Sequence, residues 1–161
     1  MSRKEREMLK KADHTHSNLL TQFFEGECEA HGLIIDRFGK VRQRIHVIMR
    51  GYWEDQAFRL NETFTYQDGR IEQRFWRVEL NCDGTFSAVS GDLKTPATGV
   101  ADPNYVKMAY EFLVPIGSRE FRLKFDDRMY RINDTVLYER AAMKKFGILV
   151  AEIILTFHKK K

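Results

Sequence analysis

Phe58-Arg59-Leu60-Asn61-Glu62-Thr63-Phe64-Thr65-Tyr66-Gln67-Asp68-Gly69-Arg70-Ile71-Glu72-Gln73-Arg74-Phe75-Trp76-Arg77-Val78-Glu79-Leu80 reads as a β-hairpin. Gln67-Asp68-Gly69 is a tight-turn signal, and the residues on either side alternate in polarity. Phe58, Leu60, Glu62, Phe64 and Tyr66 share one face of the strand 58–66, and Glu72, Arg74, Trp76, Val78 and Leu80 share one face of the strand 70–80. A register that pairs Tyr66 with Arg70 also pairs Glu62 with Arg74 on that face.

The same punctuation recurs along the chain. Arg37-Phe38-Gly39, Asn81-Cys82-Asp83-Gly84, Ile116-Gly117-Ser118 and Ile132-Asn133-Asp134 are turns between runs rich in Val, Ile, Phe, Tyr, Trp and Thr. Strands are expected over 26–36, 40–52, 85–90, 104–115, 119–130, 135–143 and 147–157. In 40–52, Val41, Ile45, Val47 and Met49 oppose Arg42, Arg44, His46 and Arg50, so His46 is expected outside. In 104–115 the stripe is Val106, Met108, Tyr110, Phe112 and Val114. In 119–130 it is Phe121, Leu123, Phe125, Asp127 and Met129, and 135–143 carries Val136, Tyr138, Arg140 and Ala142 with Leu137, Glu139, Ala141 and Met143 opposite. The last strand is apolar on both faces and would either close a barrel against the first strand or pair with another chain. Residues 91–103, with Pro96 and Pro103, read as a loop.

Many short strands with closely spaced turns make an all-β protein, a single antiparallel lipocalin-like (calycin-type) β-barrel. Leu19, Leu20, Phe23 and Phe24 fall at helical spacing behind Ser17 or Asn18 as cap, and this short N-terminal helix would plug one barrel end. Residues 1–16 are polar and expected to form a flexible extension in front of one barrel domain over 17–161, with His14 and His16 exposed.

The charges nearly balance, 27 basic against 23 acidic, and they alternate rather than form a stripe, which argues against nucleic-acid binding. Basic clusters stand at both ends, Arg3 to Lys11 and Lys159 to Lys161, and leave peripheral contact with an anionic membrane open. Cys28 and Cys82 make neither a disulfide framework nor a metal cluster. There is no long apolar run and no secretory h-region, so the chain as written reads as cytoplasmic, or as periplasmic or membrane-associated if a leader has been removed. No phosphate loop, metal-spaced cluster or Ser-His-acid pattern is visible, so no cofactor and no metal is expected.

Charges on apolar faces carry the functional reading: Glu62, Arg74, Asp127, Arg140 and Glu152. One account is a set of ion pairs that fixes the register inside the barrel. The other is a binding site. Arg74 and Arg140 would meet the acid group of a small apolar or amphipathic, fatty-acid-like ligand, with Glu62 and Asp127 positioning them. Phe64, Tyr66, Trp76, Met108, Phe112 and Phe125 would line its tail. An enzyme of isomerase or hydratase type would use Glu62 or Asp127 as acid or base. A filled barrel would be a structural or interaction module, monomeric or homodimeric.

The chain also resembles the bacterial DUF3833 family. The likeness rests on Phe23-Phe24-Glu25-Gly26 with Ala30 and Gly32, on Ile35-Asp36-Arg37-Phe38-Gly39 and on Asn61-Glu62-Thr63-Phe64-Thr65-Tyr66-Gln67-Asp68-Gly69. It continues through Arg74-Phe75-Trp76, Phe125-Asp126-Asp127-Arg128-Met129-Tyr130 and Lys144-Lys145-Phe146-Gly147. The resemblance implies an uncharacterised family, many of whose members look like lipoproteins, and it makes a lipid ligand plausible. This chain departs from that pattern: no h-region and no lipobox Cys precede Phe23.

Overall fold

In the computed structural model the described residues are 1–16, 18–91 and 93–160, with side chains described for all of these except 10–16 and Ile116. Two helices precede ten strands: α1 (Arg3–His16), α2 (Leu19–Phe24), β1 (Gly26–Asp36), β2 (Val41–Glu54), β3 (Ala57–Tyr66), β4 (Ile71–Leu80), β5 (Thr85–Val89), β6 (Ala97–Ala101), β7 (Tyr105–Ile116), β8 (Arg119–Arg131), β9 (Val136–Lys145) and β10 (Ile148–Lys159). Every strand pairs antiparallel with its neighbours in sequence, and β10 returns to pair with β1, closing the barrel. The apolar last strand therefore closes the sheet rather than leaving an edge. The central hairpin has the expected register: Glu62 lies across from Arg74, and the Tyr66 N–H donates to the Arg70 carbonyl at 2.9 Å.

One end of the barrel is sealed by α2. The Asn18 side chain accepts the Thr21 N–H and caps the helix. Leu19, Leu20, Phe23 and Phe24 are all buried, and Phe24 meets Phe157 edge to face at 5.4 Å. The helix sits so close to β2 that a Cβ on Gly51 would lie 2.0 Å from the Phe24 carbonyl oxygen. Ser17, the other expected cap, lies outside the described residues.

The segment 1–16, expected as a polar extension, contains α1. Ser2 and Glu5 form a capping box: the Glu5 N–H donates to Ser2 Oγ at 3.1 Å and the Ser2 N–H to Glu5 Oε2 at 2.6 Å. Arg3 and Glu7 then bridge one turn at 3.1 Å, so local terms support a helix without burial. His14 and His16 fall within α1, and their exposure lies outside the described side chains. One expectation is corrected by β6, which occupies the middle of the expected 91–103 loop. Gly99 permits it, since a Cβ there would lie 2.4 Å from both the Phe86 ring and the Lys107 carbonyl oxygen. Cys28 is buried, Cys82 is exposed, and both are free thiols.

Candidate functional site

The barrel interior is divided along its axis. Towards α2 lies an enclosed cavity of about 50 Å³, with Leu20 and Phe24 of the plug at one end and Glu62, Arg74, Asp127 and Glu139 among its walls. At the opposite end, between the hairpin tips, an open bowl of about 890 Å³ is bounded by Leu123, Met143 and Ala151. Ile45, Phe112 and Phe125 lie between the two, lining neither, all buried.

Arg74 anchors this dividing layer. Its guanidinium stacks 4.0 Å above the Phe112 ring and lies 5.5 Å from that of Phe64. Its Nη2 and Nε donate to Glu72 Oε1 at 2.8 and 3.0 Å, and the Tyr66 hydroxyl donates to the other Glu72 oxygen at 3.2 Å. Burial works against the arginine charge, but Glu72 with Tyr110 and Glu62 outweighs it, so Arg74 stays protonated.

The remaining acids outnumber that cation. Glu62 faces inward from β3, and burial pushes its carboxyl up to about 7 despite opposing help from Arg74 and the Trp76 indole N–H. Asp127 of β8 and Glu139 of β9 are both buried. Desolvation raises both, and for Glu139 the nearby Asp127 adds to it, so the pair resists full ionisation. Tyr110, stacked on Phe125 at 5.1 Å, donates its hydroxyl to Asp127 Oδ2 at 3.0 Å. The second oxygen, Oδ1, has no neighbour in hydrogen-bond geometry, and Glu139 is the group placed to supply one. Among the described residues, Arg74 is the sole basic side chain lining the cavity.

Most expected site residues converge. Glu62, Phe64, Arg74, Trp76, Met108 and Asp127 line the cavity, while Tyr66, Phe112 and Phe125 support it from the dividing layer. Arg140 does not join them. It points outward and pairs with Glu152 on the exterior. The inward face of β9 is Leu137, Glu139, Ala141 and Met143, the opposite of the face expected. Both faces of this strand carry apolar residues, so alternation alone does not choose between them. The choice is made across the β8–β9 hairpin, where inward Met129 lies opposite Glu139 and outward Arg128 opposite Arg140. Glu139 was therefore missed, although projecting the register from Asp127 and Met129 through the turn would have found it. Tyr110 was visible as part of the apolar stripe, but nothing local marks its hydroxyl as the partner of Asp127.

A sequence model of the protein family of unknown function DUF3833 matches residues 2–159. The chain belongs to this family. No curated protein matches this DUF3833 chain. Among solved structures, an S-type phycobiliprotein lyase from Guillardia theta superposes with a TM-score of 0.64 at 8% identity, over 96% of this chain and 97% of the lyase. A protein of unknown function from the DUF3598 family of Nostoc punctiforme superposes with a TM-score of 0.61 at 11% identity, over 89% of this chain. The DUF3833 chain spans half the length of that protein, 50%. At these identities the likeness is one of fold: the lipocalin-like barrel.

Proposed function

We propose that this DUF3833 protein binds a small molecule inside its barrel, and that the molecule presents an apolar body with a cationic or hydrogen-bond-donating group. The barrel fold, shared with a phycobiliprotein lyase, is compatible with small-ligand binding. The supporting observation is the set of groups at the cavity: three carboxyls, Glu62, Asp127 and Glu139, face it, while Arg74, its sole cation among the described residues, is already engaged by Glu72. A ligand carboxylate would add a fourth acid to these desolvated groups and find no unengaged arginine, because Arg140 is outside. An ammonium, amide N–H or hydroxyl would instead satisfy the acids. A fatty-acid-like tail fits the apolar walls, but its ionised head group does not fit the acids.

The cavity at rest holds little more than water. Met49, Met108 and Met129 line it, and unbranched thioether side chains repack more readily than branched ones, so a ligand can widen it by displacing them. The test is a matched series with one apolar chain and three head groups: primary amine, alcohol and carboxylate. Thermal shift and native mass spectrometry should rank the amine first and the carboxylate last at pH 7.5. The reverse order would overturn the reading.

Contact with a lipid surface is supported at the opposite end, across the dividing layer from the cavity. Phe38 and Phe146 stand 79% and 92% exposed on the tips of the β1–β2 and β9–β10 hairpins, beside the bowl. Arg37, Arg70 and Lys145 share that rim, a pattern suited to an anionic bilayer.

A second reading, an enzyme of isomerase or hydratase type, is favoured by one observation. Glu62, at about 7, can take up a proton near neutrality, and desolvation favours a proton on the Asp127–Glu139 pair beside it. Under that reading Glu62→Gln would abolish turnover while leaving binding intact.

A further inference from the structure

The outer wall of the barrel carries a separate cluster of donor groups. His31 on β1 lies directly across from His46 on β2, with ring centroids 4.9 Å apart. Glu29 precedes His31 by one pleat and shares its outward face. Glu29 Oε1 is 2.5 Å from His46 Nε2 and 3.5 Å from His31 Nε2. One donor atom from each of the three residues falls within 4.8 Å of the others. On its other flank Glu29 is paired with His158 of β10, whose side chain is also exposed. Directly opposed residues in an antiparallel ladder have Cβ atoms about 5 Å apart, within reach of a turned imidazole. Two of the five histidines in the chain thus flank one carboxylate, and a third, His158, stands across from it on the next strand.

We propose that Glu29, His31 and His46 form a binding site for a divalent transition metal ion, with His158 as its fourth ligand. Imidazole nitrogens with one carboxylate suit zinc, copper(II) or nickel(II) and are a poor set for calcium or magnesium. Tetrahedral zinc bonds of about 2.0–2.1 Å separate neighbouring donor atoms by about 3.3 Å, close to the His31–Glu29 separation. The Glu29–His46 contact would open slightly to admit the ion. All four ligands stand on paired strands, so the geometry is largely set before the metal arrives. The site straddles the place where the barrel closes, so a bound ion would tie β2, β1 and β10 together. It is distinct from the interior acids, which point through the opposite face of the sheet. Because no two of the four ligands other than Glu29 and His31 are near in sequence, no local spacing announces the site.

The experiment uses the full chain, stripped with a chelator and titrated with zinc by calorimetry and native mass spectrometry. Cobalt(II) absorption reports the coordination geometry. One zinc per chain is expected, with affinity falling at least tenfold in His31→Ala, His46→Ala and Glu29→Gln, and several-fold in His158→Ala. The double variant His14→Ala/His16→Ala should bind as the parent does. Glu29, His31, His46 and His158 lie at exposed or half-exposed positions, and an unchanged melting temperature in chelator would show that each variant is folded. Absence of stoichiometric binding, binding unaffected by His31→Ala and His46→Ala, or binding lost with His14 and His16 would each overturn the proposal. Unchanged affinity in His158→Ala would overturn the four-ligand form.

Discussion

Glu62 and Arg74 face each other across the β3–β4 ladder, yet the carboxylate that bonds the Arg74 guanidinium belongs to Glu72, on the same strand as the arginine. Glu62 is left to face the cavity with only partial compensation. Replacing Arg74 with Leu removes the one cation at the cavity, together with its stacking on Phe112. At pH 7 the loss should be about 3–5 kcal/mol, the range for breaking a buried pair from one side. Urea denaturation would measure it. A loss below about 1 kcal/mol would mean that the acids do not need the arginine.

Glu62 makes stability depend on pH in a definite direction. Its folded value of about 7 lies above its ordinary 4.5, so in that window the folded state keeps a proton that the unfolded chain has released. Stability from this group is therefore greatest below pH 4.5 and declines as pH rises through 7, by about 3 kcal/mol in all. Glu62→Gln should remove most of this decline. Melting temperatures from pH 4.5 to 8 would show a flatter profile for the variant, and parallel profiles would refute the assignment.

Glu139 and Arg140 are adjacent in sequence and opposite in consequence. Burial and the nearby Asp127 push the Glu139 carboxyl well above the ordinary range, so Glu139→Gln should change stability by no more than about 1 kcal/mol, whereas Glu139→Lys should unfold the barrel. Arg140 forms an exterior ion pair with its side chain 58% exposed, so Arg140→Ala should cost less than about 1 kcal/mol and leave ligand binding untouched. A large binding defect in Arg140→Ala would restore the residue to the site.

Gly51→Ala tests the seal. The added methyl would collide with the Phe24 carbonyl, a backbone atom that cannot turn aside. Detachment of α2 is expected, with a loss of about 2 kcal/mol or more and faster amide exchange across 19–24 than in the barrel strands.

The rim can be tested with vesicles. Phe38→Ser/Phe146→Ser should reduce sedimentation with anionic vesicles several-fold, and high salt should weaken the parent's binding too. Equal binding by the double variant would remove the membrane from the account.

The hairpin was legible because a short turn fixes a register, and a register fixes faces. Glu62, Arg74 and Trp76 followed from that alone. Asp127 was legible for a related reason, a single charge in an otherwise apolar stripe. The face of β9 was not, because Leu137, Ala141 and Met143 make as good an inward face as Val136, Tyr138 and Ala142. What decides is the pairing with β8, a relation between strands. β6 escaped because its residues are small and flanked by loop-like sequence, and its reason for existing is the ring of Phe86 pressed onto Gly99. The helix α1 was hidden by its polarity, since its support is local capping rather than an apolar stripe.

The pairing of β1 with β10 bears on how the chain reaches this state. Every other strand contact joins sequence neighbours and can form as soon as both partners have left the ribosome. The seam alone must wait for β10 to be made, and until then the nascent sheet exposes an edge that includes the apolar stretch Leu33 to Ile35. Translation that stops short of β10 would therefore release a curved sheet with one sticky border, a species prone to self-association. Synthesis of β10, Ile148–Lys159, is the step that removes this hazard.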